Sequence, residues 1–170
     1  MKTLIISSSL SPKSRSYVLC REVYDRLKKK KVEVELVDCR KIELIPHHRE
    51  SSEGMKKLAI KVGKADNVIF GMGVHNYSVN DSLKIILDSL TKEACEGKFF
   101  GIICAAGGPN SYLSTMHLTQ MCMNEWRMIQ LPRIVYATGR DFTEDKVNEN
   151  ILERIDNFCE EFIKIGKKLM

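Results

Sequence analysis

The 170-residue sequence predicts an α/β fold, a five-stranded parallel sheet of order 2-1-3-4-5 with helices on both faces. Three observations carry that expectation. Short apolar runs alternate five times with stretches of helical periodicity. The second run, VEVELV, is the least apolar and suits a sheet edge. The fourth, FFGIICAA, has no polar side chain and suits a strand covered on both faces.

Residues 2–8 open the chain as a short buried strand. Residues 17–27 follow as a helix, with Leu19, Cys20, Val23, Tyr24 and Leu27 recurring on one face. Residues 32–37 form the edge strand, and Met55, Leu58, Ala59 and Val62 make one side of a second helix. Residues 67–73 are a buried strand; a third helix starts near residues 80–82 and runs through Leu83, Ile86, Leu87 and Leu90. After the central strand 99–106, residues 111–126 read as a helix that is apolar nearly all round, and 132–138 as the last strand. Thr143 is expected to cap a long final helix, with Glu144 and Asp145 in a first turn where acids favour the dipole. Val147, Ile151, Ile155, Phe158, Phe162 and Ile165 would line its buried face.

Composition narrows the function. Hydrophobic residues at 44% and charged ones at 29% fit an ordinary soluble domain, and the length fits one unit, 1–170. Lys and Arg exceed Asp and Glu by 27 to 22, which suits an anionic small ligand and is too weak to argue for nucleic acid. No apolar run approaches the ~20 residues of a spanning helix, so no membrane is expected, and the N-terminal run does not read as an export signal. Cys20, Cys39, Cys95, Cys104, Cys122 and Cys159 form no C-x-x-C pair. They have no zinc spacing with His47, His48, His75 or His117. No metal site is expected, and the cysteines read as reduced core residues of a cytoplasmic protein.

In such a sheet, ligands bind beyond the carboxyl ends of the strands at the point where strand order reverses. Three loops lie there. The first, residues 7–16, joins strand to helix with six serine hydroxyls, Lys13 and Arg15, a phosphate cradle at a positive helix end. Lys13-Ser14 resembles the end of a Walker A loop, but Ser7 and Pro12 stand where that nest needs glycine. In the second loop Gly71-x-Gly73 ends a strand and would bring backbone close to a flat ligand; Asn76 replaces the third glycine of a dinucleotide fingerprint. His75, Asn76, Tyr77 and Ser78 form a polar and aromatic cluster there. The third loop follows Ala106 with Gly107 and Gly108, which permit close approach of backbone amides, and Ser111 opens the next helix.

In this order and spacing the three loops resemble the NADPH-dependent FMN reductase family, whose fold is flavodoxin-like, a three-layer sandwich. Ser9 with Ser14-Arg15-Ser16 matches its phosphate loop. Gly73-Val74-His75-Asn76-Tyr77-Ser78, then Leu83-Lys84 and Asp88, echo its second signature; Gly107-Gly108 and Ser111-Tyr112 match its third. Residues 132–139 look like its last strand. Gly73 stands in place of a proline, His75 of a tyrosine, and Ser11 where some members carry arginine, leaving Arg15 or Lys13 to supply the charge.

The resemblance implies that Ser9, Ser11, Ser14, Arg15 and Ser16 hold the phosphate of FMN. It places His75, Asn76, Tyr77 and Ser78 against the ring and ribityl chain, and Ala106, Gly107, Gly108 and Ser111 near the pyrimidine edge. The implied activity is an NAD(P)H oxidoreductase: hydride passes from NADPH or NADH to flavin N5 and on to a small acceptor such as a flavin, quinone or azo compound. His75 is the candidate donor of a hydrogen bond or proton to that acceptor. Homodimers or homotetramers are common in the family. Two alternatives share the fold: a non-enzymatic FMN electron carrier, and a binding partner that has lost its flavin.

Overall fold

A computed structural model describes residues 1–169; Met170, the last residue of the expected single unit, lies outside them. The chain runs β1 (Lys2–Ser7), α1 (Arg15–Lys29), β2 (Glu33–Asp38), α2 (Glu53–Lys64), β3 (Asn67–His75), β4 (Ser78–Val79), α3 (Asp81–Asp88) and α4 (Lys92–Cys95). It continues with β5 (Phe99–Ala106), α5 (Thr115–Trp126), β6 (Ile129–Gln130), β7 (Val135–Thr138), β8 (Phe142–Thr143), β9 (Lys146–Val147) and α6 (Glu149–Lys168). The parallel sheet has the order β2-β1-β3-β5, with β6 and β7 together filling the fifth place beside β5. This is the expected 2-1-3-4-5 order, with VEVELV at the edge and FFGIICAA inside.

The fifth strand is broken rather than continuous over 132–138. Gln130 pairs with Phe100 and Val135 with Ile103, so four residues of one strand face two of the other. Pro132 sits in this bulge, where its missing N–H costs no ladder bond.

Alternation along the strands sends side chains to two cores. On one face, Leu4, Ile6, Val68, Phe70 and Ile102 pack with Leu58 and Val62 of α2, Leu83 and Ile86 of α3, and Leu118 and Cys122 of α5. On the other, Ile5, Ile69 and Ile103 pack with Leu19, Val23 and Leu27 of α1 and Ile155, Phe158 and Phe162 of α6. The two helix layers and the sheet make the three-layer sandwich. All six cysteines are buried free thiols; burial pushes Cys20 and Cys104 up to about 12, which leaves them protonated and inert. No helix among the described residues is long and apolar enough to cross a membrane.

The start of the last helix needs correction. Thr143 does not cap it: Phe142 pairs with Val147 and Thr143 with Lys146 in an antiparallel hairpin, with Glu144 left-handed at φ +54°. A helix cannot pass through that backbone. Asn148 caps α6 instead, its side-chain oxygen accepting from Ile151 N–H at 3.0 Å, with Glu149 as the first-turn acid. Val147 therefore belongs to β9 and not to the helix face. The helix expected over 111–126 is likewise divided. A 3-10 turn, Pro109–Ser114, precedes α5 and is kinked at Ser111. The third helix ends at Asp88, short of Leu90.

Candidate active site

The loop after β1 is held by its own serines. Ser14 caps α1, its Oγ accepting from Tyr17 N–H at 3.0 Å, and lies 3.1 Å from Ser16 Oγ; both side chains are buried. Ser9 Oγ accepts from Ser11 N–H at 3.3 Å. The first turn of α1 contains no acid, so its free N–H groups keep their positive potential. The Arg15 guanidinium lies over the Phe142 ring at 5.6 Å, and a Cβ on Gly139 would sit 3.0 Å from its Nη1. Neither Lys13 nor Arg15 is ion-paired among the described residues.

The cluster at the end of β3 is a tight hairpin rather than a loop. Val74 pairs with Val79 and His75 with Ser78 around Asn76 and Tyr77, both left-handed at φ +48° and +59°. Two positive φ values give the turn that matches strand twist. Asn adopts that backbone readily and Tyr rarely, and Tyr77 is 66% exposed. His75 Nδ1 lies 3.6 Å from the Asp81 carboxylate.

Asn80, absent from the sequence-derived set, ties this hairpin to the first loop. It occupies the N-cap position of α3, but its side chain makes no cap bond. Its Nδ2 donates to Ser8 Oγ at 3.0 Å and Ser82 Oγ at 2.7 Å, and its Oδ1 accepts from Gly73 N–H at 3.1 Å. The loop after β5 has a similar anchor. Tyr136, 8% exposed, donates from its hydroxyl to Gly108 O at 2.6 Å and accepts from Ser111 Oγ at 2.9 Å.

These loops enclose two adjoining cavities. One of about 620 Å³ is lined by Ser9, Ser11, Ser14, Arg15, Ser16, His75, Ala106 and Gly107 from the expected set, with Lys13, Gly73, Phe142, Glu144 and Asp145. The other, about 350 Å³, lies between Asn76 and Tyr77 on one side and Gly107, Gly108 and Ser111 on the other. Val74 and Gly107 wall both. Ser78 lies apart, on the α5 side of the hairpin, with its Oγ 3.1 Å from His117 Nδ1. Gly71 does not approach the cavities; it faces Cys20 of α1. Phe142, Glu144 and Asp145 are absent from the sequence-derived set because Thr143-Glu144-Asp145 reads as a helix start; Asn148-Glu149 is an equally good one.

The fold and this pair of cavities at the strand ends define a flavodoxin-like α/β protein with a pocket at the N-terminus of its first helix. Residues 1–143 match the NADPH-dependent FMN reductase family, and the chain belongs to it. It is an NAD(P)H-dependent flavin oxidoreductase, with FMN and a nicotinamide nucleotide as cofactors. A relative from Geobacillus thermodenitrificans, an NAD(P)H-dependent FAD/FMN reductase, is 25% identical over 96% of this chain and 92% of its own. Among solved structures, the NADH:FMN oxidoreductase EMOB superposes with a TM-score of 0.82 at 16% identity, over 95% of this chain and 87% of that one. The NAD(P)H:(acceptor) oxidoreductase FerB from Paracoccus denitrificans gives 0.79 at 18% identity, over 99% and 98%. An archaeal flavodoxin gives 0.70 at 13% identity, over 99% of both chains.

Proposed function

We propose that the two cavities are one FMN site and that the chain, as a single unit, carries reducing equivalents from NADPH or NADH to a small acceptor. One observation carries the reading: the unpaired cations Lys13 and Arg15, beside the acid-free N-terminus of α1, open into the same cavity as Gly73–His75 and Ala105–Gly107. That donor set suits a terminal phosphate with a flat ring beyond it. When bound, FMN supplies two-electron transfer between nicotinamide and acceptor at ring N5.

The chain's own residues bind and orient. Arg15 and Lys13 neutralise the phosphate, with Ser9, Ser11, Ser14, Ser16 and the first N–H groups of α1 donating around it. Asn76 and Tyr77 bound the ring on the hairpin side, with Ser78 steadying the hairpin from behind. Ala106, Gly107, Gly108 and Ser111 bound the pyrimidine edge, where backbone N–H groups favour negative charge. His75, on the rim, donates a hydrogen bond or proton to the acceptor, a flavin, quinone or azo compound. Six buried thiols support a reducing compartment, the cytoplasm. Leu113, 73% exposed, with Tyr112, Met116 and Met123 supports self-association as a homodimer or homotetramer.

Titration with FMN and then NADPH without oxygen, followed by visible absorption, tests the reading. Bound flavin that bleaches is the expected result. Flavin that stays oxidised with NADPH and NADH would make the chain an electron carrier, and no binding would remove the proposal. Arg15→Ala is expected to weaken FMN about tenfold or more, the scale of a charge-assisted phosphate contact, with unchanged circular dichroism. His75→Phe is expected to keep FMN affinity and lose turnover with some acceptors; equal turnover with all of them would release His75 from its role.

A further inference from the structure

The cavity that holds Lys13 and Arg15 is lined by acids as well. Glu144 and Asp145 form the two-residue turn of the β8–β9 hairpin, and both line that cavity. The hairpin is anchored on each side. Phe142 carries the Arg15 guanidinium. Asp141, just before β8, accepts from Thr138 N–H at 2.7 Å and Thr138 Oγ1 at 2.9 Å through Oδ2, and from Asn148 Nδ2 at 3.0 Å through Oδ1. Burial would raise the Asp141 carboxyl, but these bonds outweigh it and hold it below the usual range. Asp141 is thus committed to the fold, whereas Glu144 and Asp145 are not ion-paired among the described residues.

Of the cavity's formal charges, Lys13 and Arg15 contribute two positive and Glu144 and Asp145 two negative. Their sum is zero, leaving the α1 terminus, about half a charge, and the serine and amide donors to favour an anion. A site that selected strongly for a phosphate dianion would leave its cations unopposed. We infer that Glu144 and Asp145 offset the cradle's cations and widen the ligand class of the site to flavins without a terminal phosphate, riboflavin as well as FMN. This rests on the reading of the cradle as the phosphate end.

Dissociation constants for FMN and riboflavin, from quenching of flavin fluorescence at low and high salt, test it on the purified protein, Glu144→Gln/Asp145→Asn and Arg15→Ala. The unmodified protein is expected to bind the two flavins within about tenfold of each other. Neutralising both acids is expected to tighten FMN about tenfold, leave riboflavin unchanged, and lose the gain at high salt. A charge-reversing Glu144→Lys/Asp145→Lys pair should widen the ratio further. If both flavins shift together, or neither shifts, the inference falls. Arg15→Ala separates the two readings. Selective loss of FMN keeps the phosphate cradle whatever the hairpin variants do, and an unchanged FMN-to-riboflavin ratio overturns the cradle and this inference together.

Discussion

Asn80→Asp is expected to destabilise the protein more than Asn80→Ala at neutral pH, by about 3–5 kcal/mol against about 2–3. The reason is the direction of each proton. Ser8 Oγ lies 2.8 Å from Gly71 O, closer than its 3.2 Å to Asn80 Oδ1, and donates to the carbonyl; Ser82 Oγ donates to Ser8 O at 2.7 Å, so both hydroxyls turn lone pairs toward Asn80 Nδ2. The amide answers them with its two N–H bonds and takes the Gly73 N–H on its oxygen, with Asn80 only 1% exposed. An alanine leaves these groups unpaired. An aspartate faces two oxygens with a third, buried and charged, so its folded pKa must rise above the unfolded value of about 3.9. The folded state then holds the proton more tightly. The penalty relative to alanine is small below the unfolded pKa and grows as pH rises toward the folded one. Chemical denaturation at pH 4 and pH 7 checks it: equal stability of the two variants at both values would sink the account. Because the same amide fixes Gly73, FMN affinity should fall in both variants even where they remain folded.

That network also marks the boundary of what the sequence makes legible. Strand order was readable because burial writes itself in composition: VEVELV alternates at an edge, and FFGIICAA has nothing to offer water. The three loops were readable because their position follows from the sheet, and serines, glycines and cations gather there. Asn80 was not, since an asparagine before DSLKIILD fits a helix cap; its partner Ser8 is 72 residues away and meets it only through the fold, and Gly73 is reached only because β3 turns back through its hairpin. The hairpin at 142–147 was hidden for a related reason. Thr143 with two acids is a good local helix start, and Asn148 with Glu149 is another. Local propensity ranks them alike, and the choice is made by Phe142 packing into the core beneath Arg15. Tyr136 shows the same limit, because its bond to Gly108 O joins the last strand to a loop 28 residues away.

Gly71→Ala is expected to cost about 3 kcal/mol or more, and Cys20→Ala to restore most of it. A Cβ at Gly71 would overlap Cys20 Sγ, while its next neighbours, Ile6 O at 3.4 Å and Ser7 Cα at 3.6 Å, lie at ordinary contact. The conflict is therefore with one atom. Cys20 is fully buried, and its thiol, pushed up to about 12 by burial, is neutral at working pH, so its volume and not its charge opposes the methyl. Cys20→Ala alone removes one buried sulfur and should cost about 1–2 kcal/mol. In the double variant the new methyl fills the vacated space, giving a coupling of about 2 kcal/mol between positions that touch. The site responds in parallel. Gly71 O accepts from Ser8 N–H at 3.0 Å and Ser8 Oγ at 2.8 Å, so a displaced β3 moves the cradle loop and the hairpin that face each other across the cavity. Denaturant midpoints and FMN dissociation constants for the four proteins should fall and recover together. Additive stability losses would mean that α1 does not rest on Gly71, and recovered stability without recovered FMN binding would separate the strand's packing from the shape of the site.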